Sequence, residues 1–309
     1  MKRNLIPFKQ NLIPLLVCLL LLFASCDNFE GDQQIPAYIK VKGFNLVDNP
    51  ALSYNQNTGF LTSDIADVWV TANSDTATAY QLRNGDWLIP ILHKGNTRIV
   101  LQAGVLLNGI RGTRIPYPFY TPEVLNIDLT EGEITDLDVV DIKYDADLTV
   151  VPFYEDFEDS YLDMITASPD TIQHLFKITD SVCSESFAGA MYMNASDVEY
   201  KVVSKDSINY TNTSLGGIYL ELDYNCNIPL NIGLYGKHVT SNQYLYMPAI
   251  RLNPNEAEGY KKIYMNLTKA WDQLGQPPYF KLYFQPANPN KLNNGWIHLD
   301  NIKIVHFPN

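Results

Sequence analysis

The residues with the clearest chemical potential are tyrosines and charged groups that alternate along apolar segments. Neighbouring strand side chains point to opposite faces, so Tyr279, Lys281 and Tyr283 would share one face. Aromatic rings beside amide and carboxylate groups form platforms for pyranose rings, which hydrogen-bond through their hydroxyls. If the strands are neighbours, we expect a sugar-binding face made of Tyr219, Glu221, Asp223, Tyr235, Tyr279, Lys281 and Tyr283. The alternative is a face that packs on loops or meets a protein partner, because tyrosine also favours interfaces.

Two carboxylates of this set also permit hydrolytic chemistry. Glu221 and Asp223 alternate on one strand face and would project about 7 Å apart, a separation compatible with glycoside hydrolysis. The sequence lacks His-Glu-x-x-His, Gly-x-Ser-x-Gly, a phosphate-cradling glycine loop and paired cysteine ligands. Its five histidines are scattered. We therefore predict a non-catalytic protein and keep a glycoside hydrolase as the weaker alternative.

The N-terminus resembles a bacterial lipoprotein signal. Three basic residues precede an apolar run that ends in Ala24-Ser25-Cys26, although Phe23 stands where leucine is commonest. The run is too short to span a bilayer as a stable helix, so we interpret it as a processed segment. The resemblance implies that residues 1–25 are removed and that Cys26 is acylated. Several acyl chains would hold the protein on the outer membrane, facing either the periplasm or the cell surface.

The charge of the chain limits its partners. Processing removes three of the 22 Lys and Arg residues and leaves 19 against 34 Asp and Glu, a net charge of −15 instead of −12. Nucleic acid binding needs a basic footprint, which the sequence lacks. We interpret residues 26–36 as an acidic tether. The expected partners are the membrane, through the lipid anchor, and a glycan or envelope protein.

The hydropathy pattern from Ala37 onward has period two, with turn residues between short runs, and predicts an all-β protein. Seven short strands predict an N-terminal immunoglobulin-like β-sandwich over residues 37–145. Longer alternating runs predict a C-terminal jelly-roll β-sandwich over residues 152–309. The predicted strands cover residues 38–41, 68–72, 79–82, 87–92, 98–103, 124–129 and 133–137, and then 218–225, 228–235, 262–267, 279–285 and 296–306.

Four smaller features complete the pattern. Residues 268–274 are the helix candidate, and 108–122 are interpreted as a proline-broken edge strand that packs against the second domain. The apolar phase of the last strand slips at Asp300-Asn301, which predicts a β-bulge. Cys183 and Cys226 fit a disulfide and two free thiols equally well.

Two acidic segments of the second domain carry a resemblance. Residues 154–158 (Tyr-Glu-Asp-Phe-Glu) and 299–304 (Leu-Asp-Asn-Ile-Lys-Ile) resemble galactose-binding-like jelly rolls, an architecture shared by many carbohydrate-binding modules. In such domains the first and last strands are adjacent and often hold a structural calcium ion. The resemblance implies calcium binding by Asp156, Glu158 and Asp300, because calcium prefers carboxylate oxygens. The alternative is that Glu158 and Asp300 cap strand ends or accept hydrogen bonds from loop amides.

Residues 26–309 as a whole resemble a family of Bacteroidetes outer-membrane lipoproteins. The stretches that carry the resemblance are 67–70 (Asp-Val-Trp-Val), 107–110 (Leu-Asn-Gly-Ile), Thr113-Arg114, 117–120 (Tyr-Pro-Phe-Tyr) and the two jelly-roll segments. The resemblance implies fold and location and no activity.

Four tripeptides resemble the Asp-Ser/Thr-aliphatic acceptor of Bacteroidetes O-glycosylation. Glycans are bulky and solubilising, so we expect the four hydroxyls in surface loops. They belong to Thr76, Thr171, Ser181 and Ser207.

These observations predict a lipid-anchored, non-catalytic envelope protein that binds a glycan or another envelope component through its jelly roll. The rival is a structural accessory subunit of an outer-membrane protein complex. A glycan binder would show an aromatic cleft, whereas an accessory subunit would show a broad apolar patch.

Overall fold

The computed structural model describes residues 34–52, 59–81, 85–183, 185–211 and 216–308. The predicted signal peptide and Cys26 lie outside these residues. The described chain is almost entirely β-structure, which confirms the predicted all-β class. In the described part, no helix is long and apolar enough to cross a membrane.

The N-terminal sandwich contains ten strands in the described residues. They are β1 (Ala37–Val41), β2 (Gly43–Leu46), β3 (Asp67–Ala72), β4 (Thr78–Gln81), β5 (Trp87–Ile91), β6 (Gly95–Leu106), β7 (Arg114–Pro116), β8 (Glu123–Leu129), β9 (Ile134–Asp136) and β10 (Val139–Ile142). The order β5-β1-β9 forms one sheet, and β10 pairs with β2. The order β4-β3-β6-β7, with β8 also paired to β6, forms the facing sheet.

Alternation explains how this sandwich closes. Strand β5 alternates buried and exposed residues along Trp87–Ile91 and buries Ile89 fully. Ile89 packs in one cluster with Val68 from β3 and Ile99 from β6, so the two sheets share a core. The immunoglobulin-like assignment of this sandwich stays a prediction.

The jelly roll contains twelve strands in the described residues. They are β11 (Val150–Glu155), β12 (Met164–Thr166), β13 (Phe176–Ile178), β14 (Ala188–Met193), β15 (Val202–Ser204), β16 (Ile208–Asn209), β17 (Ile218–Cys226), β18 (Leu230–Lys237), β19 (Tyr244–Leu252), β20 (Lys261–Asn266), β21 (Tyr279–Pro286) and β22 (Gly295–His306). A 3-10 turn covers Glu256–Glu258, and helix α1 covers Thr268–Gln273, close to the predicted helix.

Two six-stranded sheets face each other in the jelly roll. We call the sheet β13-β14-β22-β17-β20, with β11 on β22, the junction sheet. We call the sheet β12-β15-β21-β18-β19, with β16 on β21, the open sheet. Leu222 of the junction sheet packs in one core cluster with Leu234 and Phe284 of the open sheet.

The N-terminal sandwich packs on the junction sheet through a tyrosine-rich cluster. Tyr117 and Phe119, which follow β7, pack with Tyr219 of β17 and Tyr264 of β20. The ring centroids of Tyr117 and Tyr264 lie 4.7 Å apart. The prediction that the 108–122 segment packs against the second domain is confirmed.

The bulge and the cysteines are also settled. Strand β17 pairs Glu221 with Lys303 but Asp223 with Asp300, so β22 carries an extra residue there. Asn301 has φ of 48°, which confirms the predicted bulge. Cys183 and Cys226 are free thiols.

Candidate functional site

Five tyrosines lie on the outer side of the open sheet, which we call the tyrosine face: Tyr235, Tyr244, Tyr246, Tyr279 and Tyr283. Strand register places Tyr235 opposite Tyr246 on β19 and opposite Lys281 on β21. Tyr235 stacks on Tyr246 with ring centroids 4.4 Å apart and on Tyr244 at 5.6 Å. Tyr244 is 64% exposed, so the last ring of the stack is accessible to solvent.

Tyr283 is buried within this face and supports it from below. Its ring lies over Gly233 of β18, where an added Cβ would come within 2.7 Å of the ring. Tyr246 packs edge-on against it at 5.1 Å, and burial raises the pKa of Tyr283 to about 12. The prediction that Tyr283 is available to a ligand is wrong, because only 2% of its surface is exposed.

A cleft of about 300 Å³ borders the stack and lies at the lower end of small-ligand sites. Tyr279 is 58% exposed at its wall, beside Pro277 and Pro278. The polar and aromatic groups that line the cleft belong to Ser207, Tyr235, Lys237, His238, Asn242, Tyr244, Tyr279 and Lys281. Predicted site residues Tyr235, Tyr279 and Lys281 therefore meet at one cleft.

Hydrogen bonds fix several of these polar groups. The Nδ1 atom of His238 accepts bonds from the backbone amides of Thr240 and Ser241, so a neutral imidazole carries its proton on Nε2. Lys281 donates to the carbonyl oxygen of Lys205 at 2.6 Å. The cleft thus combines exposed rings with positioned hydrogen-bond donors.

The other three predicted ligand-binding residues lie on the junction sheet and are buried. Glu221 is fully buried, Asp223 is 2% exposed and Tyr219 is 7% exposed. The prediction that they face solvent is wrong, because the N-terminal sandwich covers that side of β17. No sugar can reach Glu221 and Asp223 there, so the structure does not support them as a hydrolytic pair.

The Glu221 carboxylate has hydrogen-bond and ion-pair partners from both halves of the chain. Its two carboxylate oxygens accept hydrogen bonds from the hydroxyls of Tyr117 and Tyr144, each at 2.7 Å. The Nζ atom of Lys262 lies 3.7 Å from Oε2 of Glu221 and 3.5 Å from Oδ2 of Asp223. Burial and the Glu221 charge raise the pKa of both tyrosines well above the usual value. These hydroxyls therefore stay protonated and act as donors.

The segment that precedes β3 completes this buried cluster. The hydroxyl of Thr62 donates to Asp223 at 2.6 Å and accepts from Lys262 at 2.9 Å. Close by, burial raises the pKa of Asp300 to about 7 and lowers that of Lys303 to about 7. The carboxylates of this network are therefore paired with groups of the protein itself.

Calcium binding by Asp156, Glu158 and Asp300 stays a prediction, and at least two of these carboxylates make other contacts. Glu158 accepts hydrogen bonds from the amides of Ser186 and Phe187, and Asp156 accepts from the amide of Glu158. Asp300 is 1% exposed beside the buried cluster. Among the described residues, no group of three or more His, Cys, Asp or Glu side chains is placed to hold a metal ion. Glu158 instead fits the alternative of bonding loop amides.

The four predicted glycosylation acceptors are exposed and lie between strands, as expected: Thr76, Thr171, Ser181 and Ser207. Their modification stays a prediction.

Sequence reasoning missed strand β19 and its two tyrosines. Pro248 interrupts the apolar alternation of Tyr244–Leu252, and most of this edge strand is partly exposed. The available signal was the Tyr244-Leu245-Tyr246-Met247 alternation.

Comparisons with known proteins give no family assignment. No family model matches the chain, and no curated protein matches it. Several solved structures resemble about half of it. The family 11 carbohydrate-binding module of a cellulosomal cellulase of Clostridium thermocellum has 12% identity and a TM-score of 0.34, covering 49% of this chain and 92% of that one. A family 30 module from the same organism has 14% identity and a TM-score of 0.36, covering 51% and 96%.

A cleaved adhesin domain of Lys-gingipain from Porphyromonas gingivalis has 12% identity and a TM-score of 0.34, covering 51% of this chain and 98% of that one. With TM-scores below 0.5, these likenesses carry no argument about function.

Proposed function

We propose that the protein is a non-catalytic glycan-binding protein and that the tyrosine face holds the sugar. The observation that carries the proposal is the stack of Tyr235, Tyr244 and Tyr246, which is exposed at Tyr244 and borders a cleft with polar groups and a wall formed by Tyr279. A pyranose ring would pack its apolar face on an exposed tyrosine ring. Its hydroxyls would hydrogen-bond to the polar groups of the cleft.

The burial of the chain's other tyrosine cluster supports the choice of this face. Tyr117, Tyr144 and Tyr264 are at most 2% exposed and pack in one cluster. The hydroxyls of Tyr117 and Tyr144 also donate hydrogen bonds to Glu221. Tyr244 and Tyr279 are each more than half exposed. Exposed rings that cluster beside a concave polar site are typical of ligand recognition.

The proposal also includes a location in the cell envelope. Acylation of Cys26 would hold the protein on the outer membrane, with residues 26–36 as the tether. The burial of Glu221 and Asp223 favours a binding role over hydrolysis.

An accessory subunit of an envelope complex is the second candidate, and one observation favours it. On the outer side of the β5-β1-β9 sheet, Leu88 is 51% exposed and Ile134 is 57% exposed. Both border a shallow cleft of about 820 Å³ with Pro90 and Tyr80. Exposed apolar groups of this kind are typical of protein contact surfaces.

A glycan array tests the proposal. We expect the chain without residues 1–26 to bind specific glycans, and Tyr244→Ala or Tyr279→Ala to weaken binding by about fivefold or more, since one ring contact contributes about 1 kcal/mol or more. Tyr192→Ala is the matched control, because Tyr192 is 49% exposed but lies on the junction sheet. A folded protein that binds no glycan would favour the accessory-subunit candidate, which a pull-down from membranes would then test.

A further inference from the structure

Four basic side chains surround the tyrosine face of an otherwise acidic chain: Lys201, Lys237, Arg251 and Lys281. Lys281 is the register partner of Tyr235, and Lys237 is the register partner of Tyr244. The chain as a whole carries a net charge of −12. A concentration of positive charge at one face therefore runs against the composition of the protein.

The other two basic groups extend this rim along the same sheet. The Lys201 amine lies 4.9 Å from the centroid of the Tyr246 ring, within the range of a cation–π contact. Arg251 of β19 pairs with Asn231 of β18, on the outward row that also holds Tyr235. Lys237, Arg251 and Lys281 thus follow the tyrosines across strands β18, β19 and β21, and Lys201 lies just before β15.

These four groups lack carboxylate partners within the part of the chain that the structure describes. The ion pairs there use other cations, among them Lys40, Lys94 and Lys262. The carboxylate of Glu199 accepts a hydrogen bond from the side-chain amide of Gln285 and forms no ion pair with these four groups. The rim therefore offers positive charge that forms no ion pair with a carboxylate of the described residues.

We infer that the sugar bound at the tyrosine face is anionic, carrying carboxylate or sulfate groups on its rings. This inference rests on the proposed function and names the class of glycan. Tyrosine rings would take the apolar sugar faces, and the lysine and arginine groups would take the charged substituents. A neutral glycan would leave the four charges unused.

The negative charge of the rest of the protein also affects where an acidic glycan binds. Elsewhere the net negative charge repels a polyanion, so an acidic glycan would be steered to the basic rim. Charge alone would attract any polyanion, whereas the tyrosine stack needs a ring to pack on. The proposed site therefore requires both an anion and a sugar ring.

Affinity electrophoresis of the mature protein in detergent tests the inference with matched polymer pairs. Polygalacturonic acid is compared with its methyl ester, and dextran sulfate with dextran, so that the members of each pair share a sugar backbone and differ in their charged substituents. We expect the charged member of at least one pair to bind about tenfold tighter, and 0.5 M NaCl to reduce that binding strongly by screening. The pair that shows the difference tells carboxylate from sulfate.

Variants separate the two contributions. Lys237→Gln with Lys281→Gln should weaken binding of the charged polymer about tenfold, since each exposed charge contact is worth a fraction of a kcal/mol or more. Tyr244→Ala should weaken binding as well. Lys143→Gln, an exposed lysine of the N-terminal sandwich, is the control and should change nothing.

Three results would overturn the inference. Equal binding of neutral and charged polymers would show that charge is not recognised, while leaving the proposed function intact. Equal binding of polyglutamate and polygalacturonic acid would show that any polyanion suffices. If no polysaccharide binds to the folded protein, the proposed function is wrong and the inference is wrong with it.

Discussion

The two sheets of the jelly roll present similar residues on their outer faces and use them in opposite ways. On the junction sheet, Tyr219, Glu221 and Asp223 are buried under the N-terminal sandwich. On the open sheet, Tyr244 and Tyr279 are exposed beside a cleft. An alternating pattern of tyrosines and acids therefore identifies a polar sheet face, whereas packing of another part of the chain on that face determines whether its residues are buried or open to a ligand.

The largest loss of stability is expected on the junction sheet, where the N-terminal sandwich covers Glu221. Glu221→Ala should lower the free energy of unfolding by about 3 to 5 kcal/mol, as expected when one partner of a buried charged network is removed. The change would leave the hydroxyls of Tyr117 and Tyr144 without their acceptor. Denaturant unfolding measures the effect.

Glu133→Ala is the matched control, because Glu133 is exposed and lies just before β9, and the change should cost less than about 0.5 kcal/mol. An equally small cost for Glu221→Ala would show that the junction network does not hold the two halves together.

On the tyrosine face, we expect Tyr283 to contribute to stability and not to direct contact with a sugar. Tyr283→Ala should destabilise the protein by about 3 kcal/mol, because it opens a cavity over Gly233. Tyr283→Phe should keep most of that stability, since the ring packing is retained. Thermal unfolding with glycan binding in parallel would show whether Tyr283 supports the face. A destabilised Tyr283→Phe and an unaffected Tyr283→Ala would contradict this role.

A third prediction uses the raised pKa of Asp300 in the covered region. The carboxyl has a pKa near 3.8 when unfolded and about 7 when folded, so its ionisation costs the folded state stability as the pH rises from about 4 to about 7. Asp300→Asn removes that cost. The free energy of unfolding of the variant should therefore rise relative to that of the wild type by about 4 kcal/mol between pH 4 and pH 8. Unfolding curves across this range measure the difference, and a constant offset between the two proteins would contradict the assignment.

The smallest expected effect on stability belongs to the exposed rings. Tyr279→Ala should change the free energy of unfolding by less than about 0.5 kcal/mol, because the side chain is more than half exposed. Its effect should instead fall on glycan binding. A large loss of stability would place Tyr279 with the buried tyrosines and weaken the proposed site.

The sequence predicts strands and faces well but not what covers a face. Alternation along 218–225 correctly places Glu221 and Asp223 on the same side of β17. All nine residues of that strand are nevertheless buried, because a segment more than 100 residues earlier packs over it. Alternation is a local signal, and this burial depends on long-range contacts.

Tyr283 and β19 show two further limits. Alternation gives the correct face for Tyr283. Because Gly233 on the neighbouring strand has no side chain, the Tyr283 ring packs against the backbone there and is buried. Strand β19 was missed because Pro248 breaks its pattern. The tyrosine stack depends on strand register, which the sequence alone does not give.

The contacts made by Glu221 bear on how the protein melts. The carboxylate belongs to the jelly roll, and both of its tyrosine donors belong to the preceding part of the chain. Separating the halves would break these hydrogen bonds and expose the shared apolar cluster of Phe119, Tyr219 and Tyr264 to water, so neither half keeps its full stability alone. Calorimetry should therefore show one cooperative transition whose calorimetric and van't Hoff enthalpies agree, instead of two domain transitions.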